Sequence, residues 1–311
     1  MDAAESLFRV VVSALVLDTL AFGLRILVRT RLQGSLGYDD AVMAIGFVGY
    51  IILSAFTFLS LDWGFGSWPE RTHDDPQIAL KFWTISQLTY VLTAGIVKIG
   101  VALILFRINV DKVIRNVLLV SMVVVFAVTA MFFLVLTLQC RPLSLLWGVG
   151  QGSCINFEIT VRTGIAFSAI DIVLNWLYSL IPIPMLWKVQ IGPHLKIAVL
   201  GLFGIGVLSS IATVVRFKYI VDLAARNLNI ADDRSNDLRV LLWSHVEVFL
   251  AILTSSLLNL RPLLRHITNY FRTLRSRRKG YSQGGSTELD RVIATERDAS
   301  TSDSLRAMIR S

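Results

Sequence analysis

The chain has 311 residues, 54% of them hydrophobic and 17% charged, with a mean hydropathy of +0.65 and a formal net charge of +8. A soluble domain of this length would need charged outer faces on amphipathic helices, so the balance excludes one. It also argues against a nucleic-acid partner: no nucleic-acid fold accompanies the positive charge, much of which sits where an anionic leaflet would attract it.

A bilayer-spanning helix needs about 20 apolar residues at 1.5 Å rise each. Seven such stretches follow one another, at about 6–28, 41–60, 83–106, 117–138, 165–187, 197–219 and 241–263. The expected fold is an all-α membrane protein, a seven-transmembrane-helix bundle over 1–265. The first stretch contains Asp18 and is followed by Arg25, Arg29 and Arg31 without a small-residue cleavage pattern, so it reads as a retained helix and not a signal peptide. Short connections with Arg25, Arg29, Arg31, Arg107, Lys112, Arg115, Lys188 and Lys196 read as cytoplasmic. Those with Arg71, Lys81, Arg141, Arg162, Arg226, Arg234 and Arg239 are diluted by acidic residues and read as external. The N-terminus is therefore expected outside and the C-terminus inside.

Cys140 and Cys154, the two cysteines of the chain, share the predicted outer loop after the fourth span. That is the oxidising side, and placement there favours a disulfide over two free thiols. The bridge would close a loop of about 15 residues, worth roughly 3 kcal/mol by chain entropy. His73, His194, His245 and His266 are scattered, so no metal site is expected. The tail over 266–311 opens with a basic run and continues rich in Ser and Thr, which predicts disorder. Its basic run suits anionic lipids, an attraction that phosphate on Ser282, Ser286, Ser300 or Ser302 would weaken.

Ionisable groups inside spans are costly and usually face a cavity or a partner. Here they are Asp18, Lys98, Asp171, Arg216, His245 and Glu247. Asp171 and Asn175 share a face of the fifth helix with Ser168 and Tyr178, and Glu247 shares one of the seventh with Trp243 and Thr254. This pattern suggests an outward-opening chamber between helices five, six and seven, with Asp171, Asn175, Tyr178, Arg216, Trp243 and Glu247 as ligand-binding residues. The alternative is that these groups only hold helices together, or that Arg216 snorkels to the interface. Lys98 and Asp18 are expected to form a separate structural ion pair. Gly201, Gly204 and Gly206 are expected to permit close helix approach, and Pro182 and Pro184 to kink the fifth helix as a hinge.

Several short motifs occur in order. They are 36–40 (Leu-Gly-Tyr-Asp-Asp), 64–66 (Gly-Phe-Gly), Lys98 with 106–108 (Phe-Arg-Ile), 140–142 (Cys-Arg-Pro) with Trp147 and 152–154 (Gly-Ser-Cys). Further on come 181–188 (Ile-Pro-Ile-Pro-Met-Leu-Trp-Lys), Arg216, Trp243, Glu247 and 260–263 (Leu-Arg-Pro-Leu). Together they resemble the fungal rhodopsin-domain family of seven-helix membrane proteins, over about residues 5–265. That family includes Pth-type receptor-like proteins and related secondary-metabolite cluster membrane proteins. Family members commonly place Asn before Asp in helix five, an order exchanged here as Asp171 and Asn175.

The resemblance implies a receptor-like surface protein. It does not imply a chromophore: retinal needs a Schiff-base lysine in the last helix, 241–263 has none, and no cofactor is expected. The first functional expectation is a sensor for a small apolar or amphipathic cue, in the plasma membrane, with the bilayer and this lipophilic ligand as partners. The second is a membrane-embedded enzyme or accessory protein of lipophilic secondary metabolism, in the endoplasmic reticulum. There Asp171 or Glu247 would be the catalytic proton donor, as in a terpene cyclase-like step, with Trp176, Tyr178 and Trp243 shielding a cation.

Overall fold

The structure, a computed structural model, describes residues 3–34, 37–66, 73–109, 111–181, 193–225 and 234–258. The expected hinge at Pro182 and Pro184, the tail over 266–311 and the 260–263 motif lie outside the described residues. Seven helices carry the described chain: α1 (Ala3–Val28), α2 (Tyr38–Asp62), α3 (Pro76–Ile108), α4 (Lys112–Leu138), α5 (Phe157–Leu180), α6 (Pro193–Ala225) and α7 (Arg234–Leu258). Each contains a segment long and apolar enough to cross a membrane. α1 runs on through a π-helical turn, Arg29–Gln33, and stops at Gly34, whose φ of 66° suits glycine.

Helix ends depart from the hydropathy limits because polar caps start helices before the chain turns apolar. Asp75 accepts hydrogen bonds from the backbone N–H groups of Gln77 and Ile78 at 3.0 and 3.4 Å, with Pro76 in the first position, so α3 begins seven residues ahead of its expected span. Asn156 caps α5 in the same way, accepting from the Glu158 N–H at 3.0 Å. Lys81, Arg162 and Arg239, expected in loops, therefore stand on helices.

Between α4 and α5 the chain forms a two-stranded antiparallel ladder, β1 (Cys140–Arg141) with β2 (Ser153–Cys154). Cys140 faces Cys154 directly and the expected disulfide joins them. The intervening 3-10 turn, Leu143–Trp147, ends on Gly148 at φ 80°.

The bundle exposes apolar side chains and buries polar ones, as a lipid solvent demands. Leu20, Val123, Phe126 and Val173 are about two-thirds exposed, while Arg25, Asp40, Arg216 and Glu247 are buried. Close helix approach occurs between α2 and α3, where a Cβ on Gly46 would stand 2.7 Å from Val97 Cγ2 and one on Gly49 2.6 Å from Thr93 Oγ1. The glycine expectation for α6 holds at one position of three. Gly206 packs on Ser179, whereas Gly201 and Gly204 face open space.

Candidate functional site

Four buried charges from four helices meet in one alternating ring. Lys98 of α3 donates to Asp171 of α5, and to Glu247 Oε1 of α7 at 2.7 Å. From the other side Arg216 of α6 reaches Asp171 Oδ2 at 3.3 Å and Glu247 Oε2 at 3.1 Å. Each cation thus touches both carboxylates, and the ring is neutral. Tyr90 Oη also donates to Glu247 Oε2 at 3.1 Å, and Arg216 Nη2 donates to Ser168 Oγ at 3.4 Å. The guanidinium lies over the rings of Tyr90 and Phe167, 5.1 and 5.9 Å from their centroids. At 1% exposure Arg216 does not snorkel. Removing charges from water is expensive, and mutual pairing with further hydrogen bonds offsets it; removing one member leaves an uncompensated buried charge.

The expected Lys98–Asp18 pair is not formed. Asp18 lies on α1, and the Lys98 ammonium is taken by the carboxylates of α5 and α7. Lys98, expected in a separate pair, is instead one of the four members of the ring. Spacing along single helices reveals faces but not which faces meet, so it does not identify the partner of Lys98.

A cavity of about 60 Å³ adjoins the ring. Lys98, Asn175, Tyr178, Ser209 and Thr254 give it a polar lining, and Val101, Leu105, Ala251 and Leu258 an apolar one. These residues follow the ring members along α3, α5 and α7 and precede Arg216 on α6. The cavity therefore lies on the side of the ring away from the disulfide, not toward it as the outward chamber required. Asn175 is held by donating to Thr213 Oγ1 at 2.8 Å, and Tyr178 by donating to Ser121 Oγ at 3.1 Å. Trp243 is half-buried one turn before Glu247 and is not part of this lining. Trp176 is 43% exposed on the outer face of α5, which removes it as a shield for an interior cation.

A second charge cluster escaped the sequence reading. Arg25 donates to Asp40 Oδ1 through Nε at 3.0 Å and Nη2 at 2.7 Å, to Asp39 Oδ2 at 3.3 Å, and through Nη1 to the Ser255 carbonyl at 2.9 Å. Arg29 Nη2 meets Asp39 Oδ2 at 2.6 Å, and Arg107 Nη1 meets Asp39 Oδ1 at 2.9 Å. The cluster ties α1, α2, α3 and α7. The two carboxylates sit in the first turn of α2, where the helix dipole favours negative charge, and Asp40 Oδ2 also accepts from the Gly37 N–H at 3.0 Å. A Cβ at Gly37 would come within 2.6 Å of Arg107 Nη1, so glycine leaves room for the guanidinium. The 36–40 and 106–108 motifs are thereby two halves of one contact. Arg25 and Arg29, counted as topogenic charge, are buried ion-pair partners; their four-residue spacing ahead of Asp-Asp at a helix start was the available signal.

The fold and these clusters define a class: an all-α, seven-helix, multi-pass membrane protein whose charges are paired inside the bundle. The chain belongs to the fungal rhodopsin domain family, whose sequence model matches residues 24–266. A SAT4 family membrane protein of Emericella nidulans is 29% identical over 156 residues, which cover 49% of this chain and 37% of that protein. Receptor GIN3 of Arthrobotrys oligospora is 21% identical over 296 residues, covering 94% of this chain and 70% of that receptor. This chain thus spans well under half of the first relative. No solved structure matches significantly.

Proposed function

We propose that the chain is a receptor-like protein of the plasma membrane that senses a small apolar or amphipathic cue at the Lys98–Asp171–Arg216–Glu247 ring. The observation that carries this reading is a neutral ring spanning α3, α5, α6 and α7 beside a cavity with mixed polar and apolar lining. A guest that wedges the cavity open competes for hydrogen bonds at Lys98 and Asn175 and biases how the four helices pack, and a ligand shifts such an equilibrium only through differential contacts of this kind. The relative named as a receptor in Arthrobotrys oligospora supports this reading.

The disulfide belongs on an oxidising face, which supports the N-terminus outside and the C-terminus in the cytoplasm. In that orientation the cavity occupies the cytoplasmic half of the bundle, and a lipophilic cue reaches it through the bilayer. The reading takes no retinal, because α7 carries no lysine and Lys98 is engaged by two carboxylates. The enzyme alternative loses support because both oxygens of Asp171 and of Glu247 are taken up by Lys98 and Arg216, which leaves neither carboxyl free toward a substrate.

The test compares cells lacking the chain with cells carrying it, by transcript profile and by lipophilic metabolite profile, under a panel of fatty acids, sterols and terpenes. A transcript response to one compound that needs the chain, with no precursor exchanged for product, is expected. Accumulation of one precursor with loss of one product, restored by wild type and not by Asp171→Asn, would overturn the sensor.

A further inference from the structure

Asp18 belongs to neither charge cluster and precedes the family match at residue 24. It is 0% exposed, and both carboxylate oxygens lack a hydrogen-bond partner among the described residues. Tyr50 and His245 are also 0% exposed, and the Tyr50 hydroxyl and His245 Nδ1 are unpartnered as well.

These orphans sit at one level of the α1/α2/α7 seam. Phe22 of α1 stacks on Phe47 of α2 with centroids 4.8 Å apart. Asp18 is one turn before Phe22 and Tyr50 one turn after Phe47, so on antiparallel helices both lie one turn further in the same direction. The rings of Tyr50 and His245 are 5.7 Å apart.

The donor and acceptor roles follow from the surrounding bonds. Thr57 Oγ1 spends its hydrogen on the Leu53 carbonyl at 2.9 Å. Its contact with His245 Nε2 at 3.0 Å must then be donated by the imidazole, which leaves Nδ1 with a bare lone pair. The charged groups of the packed helices are committed elsewhere. Arg25 is held by Asp39, Asp40 and the Ser255 carbonyl, and Lys98 and Arg216 by Asp171 and Glu247. An ionised Asp18 would have no counter-charge among the described residues, a state strongly disfavoured inside a bundle.

We propose that Asp18, Tyr50 and His245 bind one water molecule around a protonated Asp18 carboxyl, forming a neutral proton-holding site between α1, α2 and α7. The hydrogen-bond count closes. The water accepts from the Asp18 and Tyr50 hydroxyls and donates to His245 Nδ1 and the Asp18 carbonyl oxygen, so every orphan gains a partner, and buried waters typically make two to four such bonds.

Infrared difference spectra of the full chain in nanodiscs, wild type against Asp18→Asn, test the proton. Loss of one protonated-carboxyl C=O band, which shifts down in heavy water, is expected; a difference confined to ionised-carboxylate bands overturns it. Tyr50→Phe keeps the test alive if Asp18→Asn does not fold: the band should move, and an unmoved band overturns the shared site. Thermal midpoints of the wild type should be equal in sodium and choline chloride, whereas a sodium-specific rise would place a cation where the proton is assigned. A high-resolution cryo-EM map should show one density feature within hydrogen-bonding reach of the three side chains, and a void there overturns the hydrated form.

Discussion

Lys98 and Glu247 are 149 residues apart in sequence and 2.7 Å apart in the folded chain. The contact joins α3 to α7 at the centre of the bundle. Because Arg216 and Asp171 complete the ring, its stability depends on charge balance more than on any single bond.

Lys98→Met should leave two carboxylates facing one cation and destabilise the chain by about 3–5 kcal/mol, the range for breaking a buried pair. Adding Asp171→Asn restores neutrality and should recover most of that loss. Thermal unfolding of the two variants in one detergent checks the pattern. A double variant less stable than Lys98→Met by the full cost of Asp171→Asn alone would mean that each residue acts alone.

The second cluster offers a contrast in burial. Arg25 is 0% exposed, whereas the Arg107 side chain is 50% exposed against the same Asp39. Arg25→Met should therefore cost about 3–5 kcal/mol, and Arg107→Met no more than about 1 kcal/mol, the range for a solvent-reached pair. Denaturation curves for both variants, read side by side, decide whether burial sets the difference.

Gly206 packs on Ser179, while a Cβ on Gly204 meets nothing within 4 Å. Gly206→Leu should overpack the α5/α6 seam and destabilise by about 1–3 kcal/mol. Gly204→Leu, in open space, should leave the unfolding midpoint near wild type. A scanning series along α6 would show the effect rising at 206 alone of the three glycines.

Cys140 and Cys154 close a loop with a sequence separation of 14. The double variant Cys140→Ser/Cys154→Ser should lose about 3 kcal/mol by loop entropy. Mobility of the wild type on a gel with and without reductant, alongside unfolding of the variant, provides the check.

Seven spans, the disulfide and the family could all be read from the chain. Each follows from local information: a run of apolar residues long enough for a bilayer, two cysteines in one loop, and short motifs in order. Helix starts were less legible, since the Asp75 and Asn156 caps lie in polar sequence that hydropathy does not register. The intramembrane charges could be named, because burying them is expensive wherever they sit, but their partners could not.

Partner choice is a question of which helix faces meet, and helical periodicity is silent on it. Lys98 was expected opposite Asp18, and only the packing of α3 against α5 and α7 sends it to Asp171 and Glu247. The same packing turns Arg25 and Arg29 from loop charges into buried partners of Asp39 and Asp40, and leaves Asp18 buried outside both clusters. Local sequence determined what had to be buried in the membrane. Tertiary packing decided with whom, because pairing energy depends on distances of a few ångströms between segments far apart in the chain.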